Sequence, residues 1–152
     1  SSTDHQFLKH AVEWFRERGE IFETIVFLRP TNIFRTSEDI DNAILKLSES
    51  SNDSVRGVSK AVYSPYWMKK LEGDRLVPFL ESEYTYARRQ LLPEVFQGNG
   101  TVEVLKSDLI LNQENFYGDN IGYLKMDDIS AIDIDTPLDF AMAEFLHSRF
   151  WK

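Results

Sequence analysis

Near its carboxyl end the chain reads Ser130-Ala131-Ile132-Asp133-Ile134-Asp135-Thr136-Pro137-Leu138-Asp139. Read as a short strand, Ser130–Asp135 puts side chains two apart on one face, so Asp133 and Asp135 project together. Two carboxylates in one small space repel unless a cation lies between them. Hard oxygen donors of this kind suit Mg²⁺ carrying a substrate phosphate. The same spacing also suits two loop acceptors beside a helix start, and an acid-x-acid pair alone does not separate the two readings. Thr136 fits an N-cap, Pro137 the first helical position and Asp139 an acidic first turn. A strand ending where a helix begins is the edge at which open α/β sheets bind ligands.

The elements that must position this pair alternate. Ser2-Thr3-Asp4 caps a predicted helix from His5 to Arg18, with Phe7, Leu8, Ala11, Trp14 and Phe15 inward. Thr24–Leu28 is a continuous apolar, β-branched strand of the kind buried on both faces in a parallel sheet. It exits into Arg29-Pro30-Thr31-Asn32, a loop where a ligand can lie. Thr36-Ser37-Glu38-Asp39 is an acidic capping box opening a helix that buries Ile40, Ala43, Ile44 and Leu47. Strands follow at Ser54–Ser59, Thr101–Lys106 and Ile121–Met126, and a final helix buries Leu138, Ala141, Met142, Phe145 and Leu146. The order predicts right-handed crossovers and an α/β fold with a mainly parallel sheet. Between these elements, Tyr63–Phe79 is an aromatic β-hairpin with its turn at Glu72-Gly73-Asp74, and Gly98-Asn99-Gly100 reads as a turn.

The sequence has 152 residues, 42% hydrophobic and 28% charged, the size and balance of one globular domain. A net charge of -8 without a Lys/Arg stripe argues against a nucleic-acid partner. There is no cysteine, so disulfides and thiolate metal sites are excluded. The longest apolar run, Ile25–Leu28, is too short to cross a bilayer, and a cytoplasmic setting is expected. His5, His10 and His147 have no ligand spacing.

Three stretches resemble the acylneuraminate cytidylyltransferases, the CMP-sialic acid synthetase group, in the family's order. Leu28-Arg29-Pro30-Thr31-Asn32-Ile33-Phe34-Arg35-Thr36-Ser37-Glu38-Asp39-Ile40-Asp41 is similar to its LQPTSPLRTxEDID stretch. Arg88-Arg89-Gln90 with Leu92-Pro93 and Asn99-Gly100 is similar to RRQxLPxxYxxNG, and Ile132-Asp133-Ile134-Asp135-Thr136 to IDIDT. The resemblance implies a Rossmann-like fold of the nucleotide-sugar transferase type. It implies transfer of CMP from CTP to a sugar acid, sialic acid or a related nonulosonate, with release of pyrophosphate. It also implies a homodimer formed through the inserted region, residues 63–90 of a single domain, 1–152. Asp133 and Asp135 would hold Mg²⁺ on the triphosphate. Arg89 would grip the sugar carboxylate, Asn99 would hydrogen-bond the sugar, and Phe116 with Tyr117 would wall its N-acyl group. Arg29 and Gln90, inside the matched stretches, complete the substrate-binding set.

The chain departs from the family pattern at Arg29, where glutamine is usual, and at Thr101 and Glu103 after the Asn-Gly pair. These charges suggest a sugar acid other than sialic acid. The family's first strand and its CTP-binding loop have no counterpart, so a carboxyl-terminal part lacking the N-terminal strands is expected. The alternative function is a sugar-acid-binding or dimerisation module without productive CTP binding. A metal-dependent glycosyltransferase would also use acid-x-acid, but the other two motifs argue against it.

Overall fold

The computed structural model describes residues 3–112, 115 and 117–151. Phe116 therefore lies outside the described residues. The chain divides into two compact units, one built from Ser1–Ser59 with Gly98–Lys152 and a smaller one from Lys60–Gln97.

In the larger unit, helix α1 (Asp4–Arg16) begins at a Thr3–Gln6 capping box, and α2 (Ser37–Ser48) at a Thr36–Asp39 box. In both, the N-cap hydroxyl accepts an otherwise unpaired backbone N–H while the residue three on bonds back to the cap. Strands β1 (Thr24–Phe27), β2 (Ser54–Lys60), β5 (Phe96–Lys106) and β6 (Ile121–Lys125) form one sheet in the order β1-β5-β2-β6. β2 and β6 run parallel, with Ser54 opposite Ile121. β1 and β5 run antiparallel, with Thr24 opposite Lys106. The sheet is thus mixed rather than mainly parallel. A continuous apolar strand records burial on both faces but not direction, and β1 does meet apolar groups on both sides.

On one face Val26 and Leu28 pack with Ala43, Leu47, Val55, Val102 and Val104, the core between α2 and the sheet. On the other, Ile25 and Phe27 pack with Leu8 and Val12 of α1 and Ile110 of α3 (Ser107–Asn112). α1 buries only this Leu8–Val12 pair, one turn apart, while Phe7 and Trp14 stay exposed. The terminal helix α4 (Pro137–Phe150) likewise buries Ala143 rather than the expected Leu138, Met142 and Phe145. Its apolar residues surround the helix, so periodicity does not choose a face.

β5 begins earlier than the sequence suggests, and Gly98-Asn99-Gly100 lies inside it rather than in a turn. Gly100 takes φ +71, and a Cβ there would sit 2.9 Å from Asn32 Oδ1. Only glycine allows both the kink and the approach. At Gly57 in β2 a Cβ would stand 2.6 Å from Asn99 Oδ1 and 2.9 Å from Met126 Sδ. Gly57→Ala is therefore predicted to cost about 1–3 kcal/mol through overpacking, seen as a lower denaturant midpoint at unchanged m-value.

The smaller unit carries the expected hairpin, β3 (Lys69–Glu72) paired antiparallel with β4 (Arg75–Pro78). Among the described residues no helix is long and apolar enough to cross a membrane.

Candidate functional site

The loop leaving β1 is fixed by one buried side chain. Asn32 is fully buried, and its Nδ2 donates to the carbonyls of Asn99 at 3.1 Å and Ile132 at 3.5 Å. Asn99 in turn donates to Ser59 Oγ at 3.0 Å and accepts from the Thr101 N–H at 3.1 Å. The Thr101 hydroxyl donates to the Ser130 carbonyl, and the Ile134 N–H to the Thr31 carbonyl at 3.1 Å. Arg35 donates from Nη1 to the carbonyls of Arg29, Asn32 and Thr101, and burial lowers its pKa. The loop after β1, the kinked start of β5 and the Ile132–Thr136 segment thus meet around Asn32. Two buried atoms here, Arg29 Nη1 and Asn32 Oδ1, have no hydrogen-bond partner among the described residues. Each such atom costs about 1–3 kcal/mol, a conflict proteins retain mainly at functional places.

Asp133 and Asp135 do not lie on a strand. A 3-10 turn, Ile129–Ala131, precedes an unpaired segment. The Ser130 and Ile132 carbonyls are taken by side chains of Thr101 and Asn32, which leaves no backbone ladder to build. The alternation nevertheless survives: Ile132 and Ile134 are partly buried, and Asp133 and Asp135 are exposed. Both carboxylates therefore face solvent beside the Thr31 loop. Among the described residues no cluster of three or more His, Asp or Glu side chains could hold a metal. Two carboxylates fit Mg²⁺ in its common mode, in which one or two protein oxygens are completed by substrate phosphate and water.

Asp139 is spent on the cap of α4. Its Oδ2 accepts from the Thr136 hydroxyl at 2.7 Å and N–H at 2.8 Å, and from the Asp135 N–H at 3.3 Å. These bonds, from Thr136 first and then Asp135, hold its carboxyl below the usual range. A depressed folded pKa contributes stability above the unfolded value of about 3.9, lost as pH falls through the folded value. Asp139→Asn is therefore predicted to flatten the fall of the thermal midpoint below about pH 4, measured by thermal melts across pH.

Beside the loop lies an ion cluster. Glu103, 1% exposed in β5, accepts at Oε1 from Arg56 Nη2 at 2.7 Å and Nε at 3.2 Å. Its Oε2 accepts from the Tyr117 hydroxyl at 2.9 Å and lies 3.7 Å from Arg29 Nη2. Arg29 also pairs with Asp4 at 2.7 Å, and the Arg56 guanidinium lies over the Tyr117 ring at 4.0 Å. Burial, then the Glu103 charge and its hydrogen bond, push the Tyr117 phenol up to about 12.

The site residues expected from sequence fall into two groups. Arg29, Asn99, Tyr117, Asp133 and Asp135 belong to the larger unit, and Asn99 is buried in the network rather than open to a ligand. Arg89 and Gln90, both exposed, belong to the smaller unit. There Arg89 lines a cavity of about 160 Å³ with Lys60, Ser64, Trp67 and Glu94. Sequence reasoning missed Asn32 and Arg56. The signal for Asn32 was its place beside Pro30 in the loop. For Arg56 it was a cation within an otherwise small and apolar strand.

No family model matches the chain. Among curated proteins it is 29% identical over 126 residues to the post-translational flagellin modification protein B of Campylobacter coli, covering 82% of this chain and 53% of that one. It is 28% identical over 136 residues to the CMP-N,N'-diacetyllegionaminic acid synthase of Legionella pneumophila, 87% of this chain and 57% of the relative. It is 25% identical over 144 residues to the N-acylneuraminate cytidylyltransferase of Escherichia coli, 93% of this chain and 33% of the relative. The chain is thus similar to proteins named as CMP-sugar acid synthases and cytidylyltransferases. It spans about half the length of the first two of these relatives. The three stretches that resemble the family supply the residues around Asn32: the loop after β1, Asn99 and the Ile132–Thr136 segment.

Proposed function

We propose that this chain takes part in transferring CMP from CTP to a nonulosonic acid, with release of pyrophosphate. The observation that carries the reading is the convergence on Asn32, where three family stretches 67 and 100 residues apart join by hydrogen bonds. In the reaction a sugar hydroxyl attacks the α-phosphorus, an O–P bond forms, and the bond to the β-phosphate breaks as pyrophosphate leaves. Asp133 and Asp135 would hold Mg²⁺, which when bound offsets charge on the triphosphate. Arg89 suits the sugar carboxylate, because a guanidinium binds it in two parallel hydrogen bonds. In the larger unit Arg29 and Tyr117 are further candidates for sugar binding, with Asn99 shaping the loop after β1, and in the smaller unit Gln90 follows Arg89. The hairpin of the smaller unit would form a homodimer.

The substrate we favour is a diacylated nonulosonate of the legionaminic type. The name of the Legionella relative and the Arg29–Glu103–Arg56 charges both support this choice. Pyrophosphate release with CTP and Mg²⁺ should be faster with N,N'-diacetyllegionaminate than with N-acetylneuraminate; the reverse order contradicts the assignment. A second reading is a sugar-acid-binding module without productive CTP binding. Sugar-acid binding without turnover is its signature.

A further inference from the structure

We propose that Arg56 is a specificity-determining residue, offering its outward guanidinium edge to an oxygen acceptor of the sugar acid, and that Glu103 is the positioning residue that holds it. The proposal rests on the sugar-acid reading above. A carboxylate only 1% exposed in β5, turned to the face opposite Val102 and Val104, is costly to bury. Its ion pairs return little net stability, because desolvation offsets the Coulombic gain. A position that breaks the burial rule in this way marks function.

Neutralising Glu103 would not by itself require the geometry seen. Arg56 binds Glu103 side-on, through Nε and Nη2 together, and stacks on the Tyr117 ring. The Arg56 side chain is still 32% exposed, and its Nη1 donates no hydrogen bond to any described residue. A surface arginine ordinarily keeps its rotamer freedom, whereas this one has lost it before any ligand arrives. What remains is a pre-oriented cationic donor whose matching group is a carboxylate or amide carbonyl oxygen. Arg29, reaching the same carboxylate, lies on the loop that runs to Asn32 and the Asp133 segment.

Arg56→Lys tests this without stranding Glu103, because an ammonium still neutralises the carboxylate but has no second donor edge to turn outward. The Arg56→Gln/Glu103→Gln double variant removes both charges and serves as the second check on folding. Calorimetric titrations would use N,N'-diacetyllegionaminate, a nonulosonate with hydroxyls in place of the acylamino groups, and CTP alone. The expected result is a Kd for the diacylated sugar about tenfold weaker in both variants, the loss of one charge-assisted hydrogen bond, with CTP affinity and thermal midpoint unchanged. A loss confined to the acylated sugar identifies an amide carbonyl as the acceptor, and an equal loss for both sugars identifies the carboxylate. Folded variants that bind sugar as the parent does, or that lose CTP affinity instead, overturn the proposal alone. A parent chain that binds no sugar acid overturns it together with the sugar-acid reading.

Discussion

Asp133→Asn and Asp135→Asn are each expected to lower pyrophosphate release at least about a hundredfold, while sugar-acid affinity and thermal midpoint stay near those of the parent. The two carboxylates are exposed, lie beside the Thr31 loop, and take no part in a strand ladder. Their replacement by an isosteric amide therefore removes charge and little packing. Metal-assisted charge stabilisation is worth several kcal/mol in a phosphoryl-type transition state, and each 1.36 kcal/mol is a factor of ten in rate. A large loss of rate without loss of stability would distinguish a metal-holding role from the alternative of two loop acceptors. The structure already weakens that alternative, because the cap of α4 is supplied by Thr136 and Asp139 and uses neither of the two carboxylates. Pyrophosphate release followed beside a thermal melt of each variant decides between them. Unchanged release in both variants would remove the metal role.

Asn32→Asp is expected to be the most damaging conservative change in the larger unit. The substitution keeps size and shape but replaces the donating amide with an oxygen facing the Asn99 and Ile132 carbonyls. Asn32 is fully buried, so the new carboxylate must either ionise without a partner or take up a proton. The cost is about 3 kcal/mol or more, which for a chain of this size lowers the thermal midpoint by roughly 6–12 °C. Sign follows from the same physics: the folded pKa of the introduced acid is raised, so the variant is least handicapped at low pH and loses stability as pH rises. A melt series from acid to neutral pH that shows the variant tracking the parent throughout would mean that Asn32 does not hold the loop.

What the sequence made legible follows from which signals are local. The capping boxes at Thr36–Asp39 and Thr136–Asp139, like that at Thr3–Gln6, formed as their residue types require, because a cap depends on atoms three residues apart. The β3–β4 hairpin formed around Gly73 for the same reason. Strand direction was not legible. β1 pairs with β5 about 80 residues later, and nothing within Thr24–Phe27 records which way that partner runs. Helix faces were read in part: the stripe expected on α1 is shifted to Leu8 and Val12, and α4 is apolar around its circumference, so tertiary packing alone selected Ala143.

At the candidate site, Asp133 and Asp135 are each exposed for a reason other than the one the spacing suggested. The alternation is set by Ile132 and Ile134 turning inward against the Thr31 loop rather than by a strand ladder. Asn99 shows the limit of motif reasoning more sharply. Its Asn-Gly pair reads as a turn, yet Gly100 uses its positive φ to kink a strand so that Asn32 can reach across. The Arg56–Glu103 pair lies in two strands 47 residues apart, and a charged residue inside an apolar strand announces a partner without saying where it is.

The most direct measurement is detection of the product. The chain is incubated with CTP, Mg²⁺ and N,N'-diacetyllegionaminic acid, and the mixture is resolved by mass spectrometry alongside a pyrophosphate assay. A CMP-sugar is expected to form in step with pyrophosphate and to be absent when either substrate or Mg²⁺ is withheld. A folded chain that binds neither the sugar acid nor CTP, and forms no CMP-sugar, would contradict that expectation.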